Sequence, residues 1–550
     1  MKTAFIIGAT GVFGSRLVQQ IATTRCCDKV ILAGRNAGKT EPLLKLCRLA
    51  GIEAEFKYFD RAAPDPSVIK QISPSVIIDV AGPFQGSSFA IAEAAIASSA
   101  HYIDIADARA FVKSIPSLND AARAANVAVI SGASSTPALS HAALDHLVKD
   151  WQVIQSVLVA ISPSNRAPRG LSVIEAILSY VGKPMSLFQN GARTSARGWS
   201  QNQRIIIPQI GSRNVTLCET PDLDELCRRY HPVTSAEFKA GLELGVMHHA
   251  LRLFSFLRLK NLPRYATLFL KLAELLKPFG TDHGGMLVEA TGKDQNGAPI
   301  KTRWSLSAKG GVGPNVPILP VVVLLQNLDQ LKTGARSAAG EVALLSLVPH
   351  FERLGITKQI EVTFYPRENL FQKALGKNWN TIPAITRAIH ETAPTLLLQG
   401  EANVEGATTL MGRILARGFG FAKPGQNQPL RTIIIRDGDK ENWARHFPGR
   451  VMQSVMRNPN PDDQTIEEGF GPFRIKLFLK TSPEGIDMIP VAMTVFGLKL
   501  PLVLVPKVKA IERASPDGKH LFDVEISYPL FGRLVHYRGW LEPAQTKRLP

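Results

Sequence analysis

Short apolar runs alternate with helix-like segments over the first part of the chain. The runs at 3–9 and 29–35 consist mostly of Ile, Val, Leu, Phe and Ala, which is typical of strands buried on both faces. Between them, residues 14–24 place apolar side chains at helical spacing. Strands that alternate with helices at this pitch predict βαβ units, so residues 1–136 are predicted to form an α/β domain with a doubly wound parallel sheet.

The pattern changes after residue 136. From 137 to 345, helical segments mix with alternating, strand-like runs such as residues 203–211. Asn296 and Gly297 separate two such runs, and this dipeptide is a strong signal for a β-hairpin. Residues 137–345 are therefore predicted to form an α+β domain with an antiparallel sheet, which would hold the substrate.

A third unit is predicted at 360–550. It opens with helix-like sequence at 368–393 and continues with strand-like runs such as 432–438 and 473–481, which are separated by turns. This pattern predicts a strand-rich α+β C-terminal domain whose antiparallel sheet is covered by one or more helices.

Three glycines lie between the first strand and the first helix. Gly8, Gly11 and Gly14 are spaced three apart in "FIIGATGVFGS". In a nucleotide-binding turn, such glycines allow the tight turn, the approach of a pyrophosphate and close packing of the helix, whose N-terminus attracts phosphate. The spacing is G-x-x-G-x-x-G instead of G-x-G-x-x-G. We predict a dinucleotide site on a Rossmann fold; the alternative is a purely structural turn.

Other strand ends extend this predicted cofactor site. Arg35 ends the second strand, where NAD-selective sites carry an acid for the ribose 2′-OH, and a guanidinium matches a 2′-phosphate. NADP (NADPH) is therefore favoured over NAD, unless Arg35 only faces solvent. Asp60 could contact the adenine or be a plain strand-end acid, and "AGPF" at 81–84 lies where ribose and nicotinamide would bind. The predicted cofactor-binding residues are Gly8, Thr10, Gly11, Val12, Phe13, Gly14, Arg35, Asp60, Ala81, Gly82 and Pro83.

The succession "GATGVFG", "AGR", "DVAGPF", "HYIDIAD" and "SGASSTPALS" resembles the saccharopine dehydrogenase-like (saccharopine reductase-like) oxidoreductases, and the resemblance extends over residues 1–345. It implies an NADP-binding Rossmann domain, then a domain whose sheet covers the active-site cleft. It also implies hydride transfer at a C=O or C=N carbon of an unidentified small-molecule substrate. The C-terminal part resembles an uncharacterised domain that is fused to this family in bacteria.

The best local candidates for catalysis are His101, Tyr102 and Asp107, on and after the fifth predicted strand. Open α/β sheets bind ligands at the carboxyl ends of their strands, and Tyr or His there could donate a proton during hydride transfer. Core packing of Tyr102 and capping by the neighbouring Asp104 are the structural alternatives. No Tyr-x-x-x-Lys signature follows the glycines, which argues against short-chain dehydrogenases.

The chain of 550 residues carries a net charge of +18. Binding to nucleic acid, to an anionic membrane or to a phosphorylated cofactor would account for this charge; alternatively, the protein is basic without having a polyanionic partner. No nucleic-acid-binding motif is present, and no metal is predicted because His and Cys lack ligand spacing. Segment 246–277 is basic and amphipathic; its cations are Arg252, Arg258, Lys260, Arg264, Lys271 and Lys277.

Segment 246–277 has two explanations. It is either a membrane-surface helix or an interface helix between domains or between the subunits of a homodimer. Without a signal peptide or a clean membrane span, the expected location is cytoplasmic, peripheral to the inner membrane if this segment binds headgroups. For the whole chain, the alternative to an enzyme is a non-catalytic NADP-binding protein whose C-terminal domain binds a lipid or another partner.

Overall fold

The computed structural model describes residues 1–230, 234–259, 261–366, 368–391, 393–437, 439–460, 463–501, 505–528 and 531–544. Residue contacts divide the chain into two compact units. The first unit comprises Met1–Lys149, Val157–Ala290 and Thr302–Glu361, and the second comprises Asp150–Ser156, Thr291–Lys301 and Val362–Pro550. The domain boundaries predicted from the sequence stay predictions.

The first sixteen strands of the chain build two sheets. These strands are β1 Thr3–Ile7, β2 Lys29–Gly34, β3 Glu53–Tyr58, β4 Val76–Asp79, β5 His101–Asp104, β6 Ala128–Ser131, β7 Val153–Ser162, β8 Pro184–Gln189, β9 Ala192–Arg197, β10 Gln203–Ile207, β11 Gly211–Leu217, β12 Ser235–Ala240, β13 Gly284–Lys293, β14 Pro299–Ala308, β15 Gly334–Ser337 and β16 Thr357–Phe364.

The α-helices accompany both sheets and the C-terminal strands. They are α1 Val12–Thr24, α2 Glu41–Leu49, α3 Pro66–Ile72, α4 Ala90–Ala97, α5 Arg109–Ser114, α6 Asn119–Ala124, α7 Ser140–Leu147, α8 Leu171–Tyr180, α9 Asp222–Arg229, α10 Gly245–Leu257, α11 Ala266–Leu275, α12 Leu319–Gln326, α13 Leu344–Arg353, α14 Leu370–Leu375, α15 Ala384–Ile389 and α16 Leu410–Gly418.

The first sheet is parallel, with the strand order β15-β6-β5-β4-β1-β2-β3. Strands β1, β4 and β6 are buried along their whole length, which explains their continuous apolar sequence. The order reverses between β1 and β4, and ligands bind at the carboxyl edge of such a switch point. The predicted doubly wound sheet is confirmed. Its seventh strand, β15, comes from residues 334–337, where no strand was predicted.

The second sheet has nine strands, with the central order β10-β11-β12-β7-β13-β14-β16, and β8 joins it through β12 and β9. The predicted hairpin is confirmed: β13 and β14 pair, and Gly297 takes a φ of +75° in the turn between them. The Gly297 N–H donates to the Asp294 carbonyl oxygen at 3.0 Å. This left-handed conformation is the reason for a glycine at this position.

The C-terminal strands form an antiparallel sheet that closes on itself. They are β17 Thr395–Glu405, β18 Gly425–Asp437, β19 Lys440–Phe447, β20 Arg450–Arg457, β21 Thr465–Phe470, β22 Phe473–Ser482, β23 Gly485–Val495, β24 Leu498–Lys499, β25 Lys507–Ala514, β26 His520–Tyr528 and β27 Gly532–Pro543.

The closure of the C-terminal sheet depends on one pairing. The strand order is β22-β21-β20-β19-β18-β17-β27-β26-β25-β23-β24, and β22 also pairs with β23, so ten strands form a barrel. Phe371 of α14 and Ile389 of α15 join strand residues such as Leu398 and Leu479 in its core. The predicted antiparallel sheet with helices packed against it is confirmed; the closure into a barrel was not predicted.

Candidate nucleotide-binding and active site

The turn between β1 and α1 depends on two of its three glycines for close packing. Gly8 has a φ of +83°, and a Cβ there would lie 2.7 Å from the Ala81 Cβ. A Cβ on Gly14 would overlap the Gly8 carbonyl oxygen and lie 2.7 Å from the Ala9 Cα. These two positions therefore allow the strand, the helix and the loop after β4 to approach closely.

Gly11 has a different environment. It caps α1, and its N–H donates to the Gly8 carbonyl oxygen at 3.0 Å. Among the described residues, a Cβ on Gly11 would meet only that oxygen, at 3.2 Å. Gly11 is thus open on one side, next to the exposed Thr10 and at the N-terminus of a thirteen-residue helix. This arrangement fits the pyrophosphate of a dinucleotide, because a helix N-terminus attracts phosphate.

Arg35 is exposed immediately after β2, at the position where the sequence predicts contact with a 2′-phosphate. The Asn36 side chain accepts the Gly38 N–H at 3.0 Å and holds the following turn, which brings a second exposed cation, Lys39, into the same loop. Residues 35–40 contain no acid. Sequence reasoning missed Lys39, although a basic residue in the turn after the second strand was visible.

Asp60 is half-buried after β3, and its Oδ1 accepts the Ala62 N–H at 3.0 Å. This contact gives Asp60 a role in the local turn. The adenine contact predicted for it stays a prediction.

A buried ion pair holds the loop after β4 and was missed by sequence reasoning. Asp79 is only 1% exposed, and Arg61 Nε donates to its Oδ2 at 2.9 Å. Burial raises the pKa of Asp79, while the Arg61 charge opposes this rise. The Asp79 Oδ1 accepts the Ala81 N–H at 3.0 Å, and the Arg61 guanidinium lies 5.0 Å from the centre of the Phe84 ring. The pair therefore fixes both ends of the "AGPF" loop.

Two of the three catalytic candidates do not reach the carboxyl edge of the sheet. His101 is the first residue of β5 and pairs with Val76, the first residue of β4, so it lies at the opposite edge. Its Nδ1 accepts the Ala128 N–H at 2.9 Å, and burial lowers its pKa. Tyr102 is buried inside the sheet, where desolvation raises its pKa. The structure thus separates both side chains from the nucleotide turn.

Asp104 ends β5 and connects two loops at the carboxyl edge. Its Oδ1 accepts the N–H groups of Ala106 and Gly132 at 2.9 and 2.8 Å and the Ser131 hydroxyl at 3.0 Å. Burial raises its pKa to about 7, although these hydrogen bonds lower it. Because the side chain is enclosed and engaged, Asp104 has the structural role that the sequence alternative named.

Asp107 is the catalytic candidate that lies at this edge. Its side chain is open to solvent, and Gln85, two residues after Pro83, donates from Nε2 to the Asp107 Oδ1 at 3.3 Å. Although this side chain is exposed, the protein atoms around it raise the pKa of Asp107 by partial desolvation, and the Gln85 hydrogen bond opposes this effect. A carboxyl with a raised pKa at this edge can exchange a proton with a ligand.

An apolar cavity of about 220 Å³ adjoins the nucleotide turn. Val12 and Phe13 at the start of α1 border it, together with Ser135 from "SGASSTP". Gly170 also lines the cavity. It lies two residues before Ser172, whose side chain approaches Gly82 in the loop after β4. The remaining walls come from the second sheet, from α8, α10 and α11, from the loop 163–169, and from Leu242 and residues 313–317. Among the described residues that line the cavity, Arg169 alone is charged. A ligand there would contact mostly hydrocarbon.

The C-terminal unit has a cavity of its own, of about 230 Å³. Aliphatic and aromatic side chains line it; the aromatic ones are Phe419, Phe421, Phe470, Phe473, Tyr528 and Phe531. Such a lining suits an apolar ligand.

No helix in the described part of the chain is long and apolar enough to cross a membrane. The same residues contain no group of three or more His, Cys, Asp or Glu side chains that could hold a metal ion. Of the cations predicted in segment 246–277, Lys260 lies outside the described residues.

Two family models match parts of the sequence. Residues 4–130 match the saccharopine dehydrogenase NADP-binding domain, which confirms the resemblance of the N-terminal part. Residues 382–541 match a domain of unknown function, DUF4166. No curated protein matches the sequence.

Among solved structures, several dehydrogenases align with this chain at low sequence identity. The saccharopine dehydrogenase (L-Glu forming) of Saccharomyces cerevisiae is 11% identical, with a TM-score of 0.49 over 66% of this chain and 100% of that chain. The amine dehydrogenase of Mycobacterium smegmatis is 12% identical, with a TM-score of 0.33 over 62% and 95%. The WlbA (WbpB) dehydrogenase of Thermus thermophilus, in complex with NAD and UDP-GlcNAcA, is 10% identical, with a TM-score of 0.30 over 63% and 94%.

Proposed function

We propose that this protein is an NADP-dependent oxidoreductase, because residues 4–130 match the saccharopine dehydrogenase NADP-binding domain. It moves a hydride to or from the carbon of a C=O or C=N bond in a small-molecule substrate. In the reducing direction the substrate carbon gains a hydride, its oxygen or nitrogen gains a proton, and NADPH is oxidised to NADP⁺.

The chain's own residues have separate roles in this proposal. The open side of Gly11 receives the pyrophosphate, and Arg35 and Lys39 hold the 2′-phosphate, for which two cations and no acid are suited. The Arg61–Asp79 pair orients the loop that contains Ala81, Gly82 and Pro83 beside the nicotinamide.

The observation that carries the proposal is that the nucleotide turn and the apolar cavity share Val12 and Phe13. A cofactor on the turn would thus be next to a space of ligand size whose apolar walls exclude water. Asp107, which lies at the carboxyl edge of the sheet and accepts a hydrogen bond from Gln85, exchanges the proton with the substrate heteroatom.

Turnover tests this proposal directly. We expect the protein to oxidise NADPH when it is given members of a carbonyl and imine panel, as followed by NADPH absorbance. Asp107→Asn should lower kcat about 100-fold and leave NADPH affinity unchanged, because a general acid or base contributes about that much. Asp120→Asn, at an exposed acid, is the control.

The non-catalytic alternative predicts a different result. If the protein binds NADPH tightly but turns over no member of the panel, the Rossmann domain acts as a sensor and the aromatic cavity of the C-terminal unit becomes the candidate site for its partner. Wild-type kcat in Asp107→Asn would contradict the role of that carboxyl.

A further inference from the structure

The α10–α11 hairpin, residues 245–279, exposes large apolar side chains at high density. The most exposed of them are Val246, Phe256, Leu275 and Phe279, each with 70 to 75% of its surface open to solvent. Apolar groups that cluster in this way mark an interaction surface, whereas scattered ones do not.

The same hairpin is strongly basic. Arg258, Arg264 and Lys271 are exposed and make no ion pair with the described residues, and Glu274, which pairs with Lys277, is the only acid between 246 and 279. This combination suits an anionic bilayer, because apolar side chains can insert into its hydrocarbon and cations can bind its anionic headgroups. A second copy of this chain would bring the same cations together and is a poorer occupant.

An apolar groove leads from this surface toward the proposed active site. The groove lies between α10 and α11, has a volume of about 580 Å³ and includes the exposed Val246, Tyr265 and Leu268. It shares Met247 and Phe269 with the cavity that reaches the nucleotide turn. The groove and the cavity are thus neighbours, and the side chains between them include a flexible methionine.

We propose that the hairpin docks on an anionic membrane and that the substrate is lipid-borne. A hydrocarbon chain occupies the groove and the cavity, and the C=O or C=N group that it carries lies at the nucleotide turn. This inference about substrate class rests on the proposed function, whereas the docking surface does not depend on it. The redox step is the one given above, with NADPH and NADP⁺ as its co-reactants.

Vesicle binding tests the docking surface. The full chain should co-sediment with phosphatidylcholine vesicles that contain roughly one-third phosphatidylglycerol, more weakly without the anionic lipid, and less as salt rises. The triple variant Arg258→Gln, Arg264→Gln, Lys271→Gln should lower the partition coefficient roughly 100-fold, at about fivefold per charge. Phe256→Ser with Phe279→Ser should weaken binding to both vesicle types.

Matched controls are available on other exposed surfaces. Leu49→Ser and Leu345→Ser replace apolar side chains that are similarly exposed and should leave vesicle binding unchanged. No vesicle binding by the wild type, or an equal loss in these controls, would overturn the docking surface. A dimer in sedimentation velocity that Phe256→Ser with Phe279→Ser converts to monomers would overturn it in favour of a second copy.

The substrate class is tested by binding, without turnover. The fluorescent straight-chain fatty acid cis-parinaric acid should bind. Linear methyl ketones should displace it, and their affinity should rise about fourfold with each added methylene. Ala167→Trp and Val173→Trp, at half-buried positions in the cavity wall, should each lower probe affinity at least tenfold while NADPH affinity stays at the wild-type value.

The two proposals fail in different ways. If displacement does not depend on chain length, or if both tryptophan variants bind the probe like the wild type, the lipid-borne substrate is excluded. If the chain binds vesicles and probe but not NADPH, the proposed function fails and the membrane surface remains.

Discussion

Gly14 and Gly11 lie one helical turn apart and have different neighbours, so substitution should separate folding from cofactor binding. Gly14→Ala places a methyl group against the Gly8 carbonyl, and overpacking of this kind costs about 1–3 kcal/mol of unfolding free energy. Gly11→Ala meets less protein, so it should cost under about 1 kcal/mol and still abolish NADPH binding. Chemical denaturation and calorimetry would measure the two effects; equal loss of stability in both variants would contradict this assignment.

The buried ion pair between Arg61 and Asp79 should contribute to the stability of the folded protein. Arg61→Met leaves a buried carboxylate without its partner, and we expect the free energy of unfolding to fall by about 3 kcal/mol. Lys358→Met removes an exposed pair with Glu352 and should change stability by less than about 0.5 kcal/mol. Urea denaturation compares them. If the two variants have similar stability, the buried pair does not stabilise the loop after β4.

Strand β5 shows how far single elements can be predicted. Its existence and its buried, apolar centre follow from the sequence, but "HYID" alone does not tell which end of the strand is functional. Parallel pairing puts His101 at the amino edge, and Asp107, three residues beyond the strand, at the carboxyl edge. Arg61 and Asp79 are 18 residues apart, and no local pattern links them.

The barrel contains a buried cluster that should make the protein sensitive to acid. His390 Nε2 lies 2.8 Å from the Glu512 Oε2, and His520 Nε2 lies 3.9 Å from the same oxygen. Burial lowers the pKa of His520 to about 4, although the Glu512 charge opposes this. Burial alone would raise the pKa of Glu512, but the charge and hydrogen bond of His390 lower it to about 2.

Both shifts act in the same direction with pH. In the unfolded chain His520 is protonated below pH 6.5, whereas in the folded protein it stays neutral until about pH 4. The free energy of unfolding therefore falls by on the order of 3 kcal/mol as the pH drops from 6.5 to 4. Glu512 contributes stability above pH 4.5 that is lost toward pH 2. Calorimetric melting of the full chain measures how far Tm falls between pH 7 and pH 5. This fall should be smaller in His520→Gln than in the wild type, and His146→Gln, at an exposed histidine, should show the wild-type fall. An unchanged pH dependence in His520→Gln would exclude this histidine as the cause.

At the scale of the whole molecule, local patterns predict the elements better than their closure and their cavities. Strand β15 has only four residues, and the residues that it pairs with in β6, such as Ala128 opposite Gly334, are 206 positions away in the sequence. The barrel closes where β22 pairs with β23. Because these two strands follow one another in the chain, the sequence shows only a hairpin there and does not indicate that the sheet closes. The apolar cavity has walls from many distant segments, so no spacing in the sequence indicates it.

The most direct test of the central claim, that the carboxyl edge of the first sheet binds NADP, is calorimetric titration of the protein with NADPH and with NADH. We expect NADPH to bind at least tenfold more tightly than NADH, because a charge-assisted contact to the 2′-phosphate contributes about 1.5–3 kcal/mol. Arg35→Ala should remove most of that preference and leave NADH affinity unchanged. Equal affinity of the wild type for the two nucleotides would contradict it.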